Sequence, residues 1–349
     1  MKHVVLDTEV FRRENLAFDS ARFERLAELV EENEVEVYLT DVVDGEVRRA
    51  ITSQIHAGVE LLREEPTRRT LNVLAKGAIP KLKDLLKAPK ESELIETLIR
   101  EYEDLLDRLD VEVISTDDVS VKTLRDQYFG VIPPFGHKAE KKHEFPDAIS
   151  VLGVKKWAAN RGEPVIMVSG DKGIAAALEG AEGIKHVPDL RDVIDAVLRI
   201  LKVVADPEGL LEAKREEIET RVRDEFEHLG FYIDGEWGEV SEAIVESVHI
   251  GGVYLAERKE NVVTLEFEAE IRYSASLTFD DPERTAYDSE TGGTYVFGSV
   301  SRDIRDTAWV EGEVVLEIDI HDPSKSKVLS TRLNASDIAV PPPRDEDEY

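Results

Sequence analysis

The sequence predicts an α/β fold in which a parallel sheet is flanked by helices, followed by a smaller α+β domain with an antiparallel sheet. Short apolar runs alternate with helical periods through residues 1–204, which is the pattern of strand–helix–strand units. Residues 260–279 alternate apolar and polar side chains without a break. The pattern changes near residues 205–209, so we predict domains at 1–204 and 205–340, with a disordered acidic tail at 341–349.

In the first domain, each predicted strand is a short apolar run, and a helical period follows most of them. The run HVVLD at 3–7 is typical of a buried parallel strand that brings an acid to the edge of its sheet. Pro146 suits the first turn of a helix, because that position needs no backbone N–H. In chain order, we predict strands at 3–7, 35–40, 111–116, 163–171 and 185–190, and helices at 20–32, 41–65, 68–87, 91–109, 119–128 and from Pro146 onward.

The second domain begins with a charged helix and continues with alternating segments. Apolar side chains occupy every second position from Val263 to Phe279, and residues 309–320 alternate again. This predicts antiparallel strands with one buried and one solvated face. The domain could serve as an oligomer interface, for which we expect a homodimer, or it could bind a regulatory partner, a nucleotide signal or a basic protein.

The chain carries a net charge of −31, and most of the excess lies in the second domain. Residues 206–349 hold 36 acidic and 14 basic side chains, a net of −22. Such a chain should bind nucleic acid poorly in a non-specific way, because phosphate contacts need clustered Lys and Arg. There is no cysteine, no signal-peptide pattern and no apolar run of membrane-spanning length, so we expect a cytoplasmic protein without a membrane partner.

Four acids are placed at the predicted strand ends. Asp7 ends the first strand, Asp171 follows the fourth, Asp147 opens the helix between the third and fourth strands, and Glu46 lies in the helix after the second. The carboxyl ends of parallel strands meet at one edge, so these side chains are expected to converge. Four carboxylates repel one another unless cations hold them, and Mg²⁺ or Mn²⁺ fits oxygen ligands. A pair of such ions would support phosphodiester hydrolysis, whereas a lone acid in a first turn could simply complement the helix dipole.

The segments VVLDTEVF, DGEVRR, KKHEFPDAI and VSGDKG resemble the four acidic motifs of the PIN-domain nucleases, in the order of that family. The stretch PPFGHKAEKKHEFPDAI is similar to a branch of larger bacterial PIN proteins with additional C-terminal sequence. The resemblance implies metal-dependent cleavage of RNA, usually single-stranded, with Asp7, Glu46, Asp147 and Asp171 as metal ligands. It also implies that Thr8 and Ser169 shape the site. The position that is commonly Asn in the family is Glu9 here, which could add a ligand or weaken the site.

A basic stretch enters the same edge of the sheet. It contains His137, Lys138, Lys141, Lys142 and His143, with Arg125 and Tyr128 just upstream. The functional interpretation is a patch that holds substrate phosphates, with Tyr128, Phe129 or Phe135 available to stack on bases. The structural interpretation is a solvated, mobile loop.

Two other classes of function compete with a single-stranded RNA nuclease, for which DNA is a second possible substrate. A catalytically inactive PIN fold could act as a scaffold or an RNA-binding module, although such a site would have no physical reason to keep mutually repelling acids. Phosphotransfer through an aspartyl phosphate would instead favour Asp at position 9, which is Glu9. Toxin action, antiviral defence and RNA turnover would all use the same residues.

Overall fold

The computed structural model describes residues 3–77, 90–136, 144–200, 206–234, 238–259, 261–280, 285–288, 293–296, 298–319 and 323–342. The chain divides into two compact units, Met1–Val197 and Leu198–Tyr349. The first unit contains a five-stranded parallel sheet with helices, and the second contains a four-stranded antiparallel sheet, so the predicted fold class is confirmed.

The parallel sheet has the strand order β3-β2-β1-β4-β5, with the first strand of the chain at its centre. Its strands are β1 (His3–Leu6), β2 (Glu36–Thr40), β3 (Glu112–Ile114), β4 (Val165–Val168) and β5 (Ile184–Val187). Every residue of β1 and β4 is buried, because helices cover both faces of the sheet centre. The first four strands lie within the predicted ones but are shorter, while β5 begins one residue before its predicted start and also ends earlier. Asp7 and Asp171 therefore follow the ends of β1 and β4.

Nine helices of the described part of the chain belong to or begin in this unit. They are α1 (Thr8–Arg13), α2 (Ala21–Glu31), α3 (Asp41–Arg63), α4 (Glu65–Gly77), α5 (Glu91–Arg108), α6 (Val121–Gly130), α7 (Phe145–Arg161), α8 (Lys172–Leu178) and α9 (Leu190–Ile200). Helix α1 was not predicted, since six residues are too few to show a helical period. The later part of the predicted 68–87 helix lies outside the described residues.

Helix α7 carries Asp147 and packs on the sheet through small and apolar side chains. Val151 and Val154 join Val5 and Met167 in one buried cluster, and Gly153 faces Thr116, where a Cβ would lie 2.8 Å from the Thr116 Cγ2. This close approach brings the first turn of α7 to the carboxyl edge of the strands. Asp147 therefore lies at the same edge of the sheet as Asp7.

The second unit contains α10 (Pro207–Glu212) and α11 (Arg215–Glu227), and its main sheet has the order β12-β11-β8-β7. These strands are β7 (Gly238–Lys259), β8 (Val262–Asp280), β11 (Ser299–Glu317) and β12 (Lys327–Leu333). Two smaller pairs join β6 (Gly230–Ile233) with β13 (Asp337–Val340) and β9 (Thr285–Asp288) with β10 (Gly293–Val296).

One face of this sheet is apolar, as the alternation predicts. The odd-numbered residues of β8 from Val263 to Phe279 are all buried, and α11 contributes Ile218, Val222 and Phe226 to the buried side chains of the unit. In the predicted tail, residues 343–349 lie outside the described part of the chain. Over the stretches that the structure describes, no helix has both the length and the apolar character needed to cross a membrane.

Candidate active site

Asp7 follows the central strand β1 directly and stands at the start of α1. Its side chain is only 5% exposed, and the Ser169 hydroxyl donates to Asp7 Oδ2 at 2.8 Å. Burial raises the pKa of Asp7 and the negative charge of Glu46 adds to the rise, while Ser169 and the backbone amides of Thr8 and Glu9 oppose it. The surroundings thus favour the protonated form of Asp7, and a nearby cation would reverse that preference.

Glu46 lies in the second turn of α3 and is oriented by the residue that follows Asp7. The Thr8 hydroxyl donates to Glu46 Oε2 at 2.7 Å. Helix α3 is itself fixed at its start, where the Thr40 hydroxyl accepts a hydrogen bond from a backbone amide of the first turn and lies 3.0 Å from the Ser150 hydroxyl of α7. The side chain of Glu46 is therefore oriented by Thr8, and the start of its helix is fixed by a contact to α7.

Asp147, in the first turn of α7, has a strongly raised pKa. Partial burial raises its pKa to about 7, and the charges of Asp7, Glu46 and Asp171 all add to the rise, in that order. Each of the other three carboxylates therefore lies close enough to repel Asp147. The structure thus brings together the four acids that the sequence places at strand ends.

Asp171 has a structural role as well as a place in this group. Its Oδ1 accepts hydrogen bonds from the amides of Gly173 at 2.6 Å and Ile174 at 2.9 Å, so it caps α8. Its own amide donates to the Ser169 hydroxyl at 3.1 Å. Ser169 consequently links Asp171 to Asp7, and the cap fixes the orientation of the fourth carboxylate.

The donor set fits a hard divalent cation bound with water, but it does not form a closed protein cage. Among the residues that the structure describes, no three or more His, Asp or Glu side chains are arranged closely enough to enclose a metal ion by themselves. Mg²⁺ commonly binds one or two carboxylates and keeps several waters, so a closed cage is not required. The mutual repulsion at Asp147 is what a bound cation would relieve.

Glu9 pairs with an arginine side chain and is not one of the acids that raise the pKa of Asp147. It forms an ion pair with Arg13 across one helical turn at 3.8 Å, and Arg13 also donates to Asp189 Oδ2 at 2.8 Å. Burial acts to raise the pKa of Asp189, but the Arg191 amide and the charges of Arg22, Arg191 and Arg13 outweigh it and hold that pKa below its ordinary value. Asp189 is thus a buried acid with cationic partners, in contrast to Asp147.

The sequence reasoning missed Glu144, whose charge adds to the rise in the pKa of Asp147 after those of Asp7, Glu46 and Asp171. Its Oε2 accepts from the Gly136 amide at 2.9 Å, and this bond joins Gly136 to the residue that precedes α7. The signal was available, because Glu144 stands one turn before Asp147 in KKHEFPDAI.

The aromatic side chains near this edge mostly form a cluster. Phe135 is 2% exposed and lies between Tyr128 and Phe145, with ring centres 5.5 and 5.0 Å away. The prediction that Phe135 can stack on a base is therefore wrong, since its ring is used in packing. Phe129 is 75% exposed and keeps a free ring surface for such contact.

The structure describes only part of the predicted substrate-binding set. Arg125 is exposed on α6, and its guanidinium pairs with the neighbouring Asp126 at 2.9 Å. The rest of the predicted patch, namely Lys138, Lys141, Lys142 and His143, lies outside the described residues. Thr8 and Ser169, by contrast, contact the acids directly.

A second group of cations was not recognised in the sequence. An open groove of about 720 Å³ lies at the end of α3 and along α4 and is lined by four cations and one acid, namely Arg63, Arg68, Arg69, Lys76 and Glu65, with Asn72 and Val73. Glu65 pairs with Arg69 at 3.4 Å, so the groove keeps a net positive charge. The signal was the pair of arginines in EEPTRRTLNVLAKG. A groove of this charge can hold phosphates of an extended strand.

Comparison with known proteins identifies the first unit. The family model of the PIN domain matches residues 4–174, which include Asp7, Glu46, Asp147 and Asp171. No curated protein and no solved structure matches the chain. PIN domains generally act as metal-dependent nucleases, and the strand-end acids stand where the four family motifs were recognised. Residues 4–174 therefore belong to the PIN-domain family.

Proposed function

We propose that this protein is a Mg²⁺- or Mn²⁺-dependent endoribonuclease that hydrolyses phosphodiester bonds of single-stranded RNA, with single-stranded DNA as a second substrate to test. The observation that carries the proposal is the pKa of Asp147, which burial and three neighbouring carboxylates raise to about 7. A fold gains nothing from four mutually repelling acids, so their retention is best explained by cations that bind them in use.

The four carboxylates would hold the cations, and the hydroxyls of Thr8 and Ser169 would keep two of those carboxylates oriented. When bound, a pair of divalent cations supplies an activated water and neutralises the leaving oxygen of the scissile phosphate. Asp7 and Asp147 are the two acids whose surroundings most favour protonation, so they gain the most from a cation. Ser169 also donates to Asp7 while accepting from Asp171, which fixes the spacing of these two acids.

Substrate would be held by cations outside the acidic edge. The groove of Arg63, Arg68, Arg69 and Lys76 lies on α3–α4. Arg63 follows Glu46 in α3 by 17 helical steps, which correspond to about 25 Å of helix. Lys138, Lys141, Lys142 and His143 would add contacts nearer the acids. A strand that reaches from the acids to the groove would favour extended, single-stranded RNA over a compact duplex.

The alternative is a PIN-fold scaffold or RNA-binding module without catalysis. It is favoured by one observation, which is that no three acids enclose a metal site in the described part of the chain. It predicts RNA binding that does not depend on divalent cations. It also predicts no role for the acids in function, so their replacement would leave RNA binding unchanged or improve it by removing negative charge.

The experiment is incubation of the purified protein with end-labelled single-stranded RNA and DNA, in Mn²⁺, in Mg²⁺ or in EDTA. We expect metal-dependent cuts in wild type and their loss in Asp147→Asn and Asp171→Asn. Asp126→Asn is the matched control, because Asp126 is an exposed acid of α6 that pairs with Arg125. Cutting that survives in either of the first two variants, or that is lost equally in the control, would contradict the assignment of the site.

A further inference from the structure

Strand β11 has one fully paired side and one half-open side. It pairs with β8 along its entire length, from Ser299 to Glu317. On its other side β12 covers only Gly312–Glu317, and the Asn334 amide then donates to the Glu311 carbonyl at 2.8 Å. In the part of the chain that the structure describes, no strand pairs with Ser299–Val310 on that side. Such an edge presents backbone donors and acceptors to any strand that can approach it.

The open stretch carries a charge pattern that is complementary to itself in reverse. Its middle reads Arg302-Asp303-Ile304-Arg305-Asp306. In this segment, two residues at the same distance before and after Ile304 always carry opposite charges. Arg302, Asp303 and Arg305 are exposed. Asp303 accepts a hydrogen bond from Ser276 and Arg305 pairs with Glu246, but these are surface contacts, which are weak enough to be exchanged for pairs with a second copy. Charged residues on an edge strand usually deter pairing with foreign strands, but this pattern does not repel its own antiparallel copy.

An antiparallel pair of two such strands has a register that matches every charge. With Ile304 opposite Ile304 of a second copy, Asp303 faces Arg305 and Arg302 faces Asp306, twice each by symmetry. Sliding by one position per chain puts Asp303 against Asp303 in one direction or Arg305 against Arg305 in the other. A parallel pair in register puts every charge against its like. The charges therefore select one register and one orientation.

The same register fits the space that the fold leaves. Pairing around Ile304 covers Ser299–Trp309 of both chains, and the open stretch is Ser299–Val310, so β12 is not displaced. The preceding strands β9 and β10 form a separate sheet and do not extend the edge of β11. Trp309 is 71% exposed and would come opposite Ser299 of the second copy. The charge pattern is centred on Ile304, and the unpaired stretch Ser299–Val310 is centred at nearly the same position.

We propose that Ser299–Val310 is a homodimer interface, in which β11 strands of two copies pair antiparallel about a two-fold axis at Ile304. The two four-stranded sheets then continue into one sheet of eight strands. This interface lies in the second unit and uses none of the PIN-domain acids. The dimer proposal can therefore be correct or wrong whatever the outcome of the nuclease proposal. Cutting activity and dimerisation can be lost separately.

The first test uses charge reversal and mixing, read as molecular mass by sedimentation velocity of the full chain. Asp303→Arg puts two arginines face to face at each pair, and Arg305→Asp puts two aspartates there, so each variant alone should be monomeric. Mixing the two should restore a dimer, because every pair again joins unlike charges. Arg272→Asp is the control: it is an exposed side chain of the inner strand β8, and it should leave the dimer intact. Wild type that is monomeric at tens of micromolar, or mixing that gives no dimer, would overturn the proposal.

The second test reads the register through a disulfide. The chain has no cysteine, so Ile304→Cys introduces the only thiol. Directly opposite residues of an antiparallel pair have Cα atoms roughly 4.5–5.5 Å apart, which a disulfide can bridge. Thr307→Cys is the matched control on the same strand, because it would separate the two thiols by about 20 Å at 3.3 Å per residue. Equal cross-linking of both variants under mild oxidation, or none of Ile304→Cys, would refute the register.

Discussion

Replacing Asp147 by Asn should stabilise the metal-free protein at pH 8. Burial and the charges of Asp7, Glu46 and Asp171 raise the pKa of Asp147 to about 7, whereas in the unfolded chain it is near its ordinary value of about 3.9. Between these two values the folded state binds more protons than the unfolded state. The free energy of unfolding therefore falls as the pH rises through this window, and Asn removes that loss.

The magnitude follows from the size of the pKa difference. About three units at about 1.36 kcal/mol each give roughly 4 kcal/mol as an upper bound at pH 8. Asp147 is only partly buried, so screening by water and salt should reduce the gain to about 1–3 kcal/mol. At pH 5 only about one unit of the window has been crossed, and the gain should fall to about a third.

The measurement is urea-induced unfolding in EDTA, followed by hydrogen–deuterium exchange of peptides from α7 and β4. These peptides report on the first unit alone, which matters because a chain with two units need not unfold in one step. The full difference should be present at pH 8 and small at pH 5.

Asp189→Asn is the control of opposite sign. The pKa of Asp189 is held low by cationic partners, so its charge contributes stability that is present at pH 8 and is lost as the pH falls through its folded pKa. That variant should be destabilised by about 1–3 kcal/mol at pH 8. If Asp147→Asn is neutral or destabilising at pH 8 in EDTA while Asp189→Asn behaves as expected, the acids do not repel one another and the proposed site is wrong.

Three further outcomes are expected. Mg²⁺ at millimolar concentration should raise the stability of wild type at pH 8 but raise that of Asp147→Asn much less, because the variant has less repulsion to relieve; equal gains would show that the ion binds elsewhere. Ser169→Ala removes the hydroxyl donor to the buried Asp7, so the metal-free protein should lose about 1–2 kcal/mol in the same exchange assay, and an unchanged stability would show that this hydrogen bond is not needed. Replacing Arg68 and Arg69 by Ala should weaken RNA binding and lower the slope of log affinity against log salt by about one to two, and an unchanged slope would exclude the α4 groove from the substrate path.

The sequence was sufficient for the sheet of the first unit and for the acids at its edge. A buried parallel strand is a continuous apolar run, so HVVLD and its counterparts are visible without any structure, and Asp7 and Asp171 follow from them. The orientation of Glu9 was not predictable, because it depends on Arg13 one turn later in a helix too short to show a period. Likewise, Ser169 became more than a neighbour of Asp171 only when β1 and β4 came together.

In the second unit, the sequence showed β8 but not β7 or the first half of β11. Strand β7 shifts its register against β8 at four places, and each shift breaks the alternation that reveals a strand. The first half of β11 alternates between Val300, Ile304 and charged side chains, so its apolar face is weak. Charged side chains on an unpaired edge strand deter pairing with foreign strands. The same charges interrupt the alternation of apolar and polar residues by which a strand is recognised in the sequence.

The position of β1 at the centre of the parallel sheet has a consequence for synthesis. His3 pairs with Glu36 on one side and with Val165 on the other, so β1 receives its second neighbour only after most of the first unit has been translated. Until then a largely apolar strand is unpaired along one side, which slows folding and favours pairing with wrong partners. During synthesis of the first unit there is therefore a long interval in which β1 is a binding segment for a molecular chaperone.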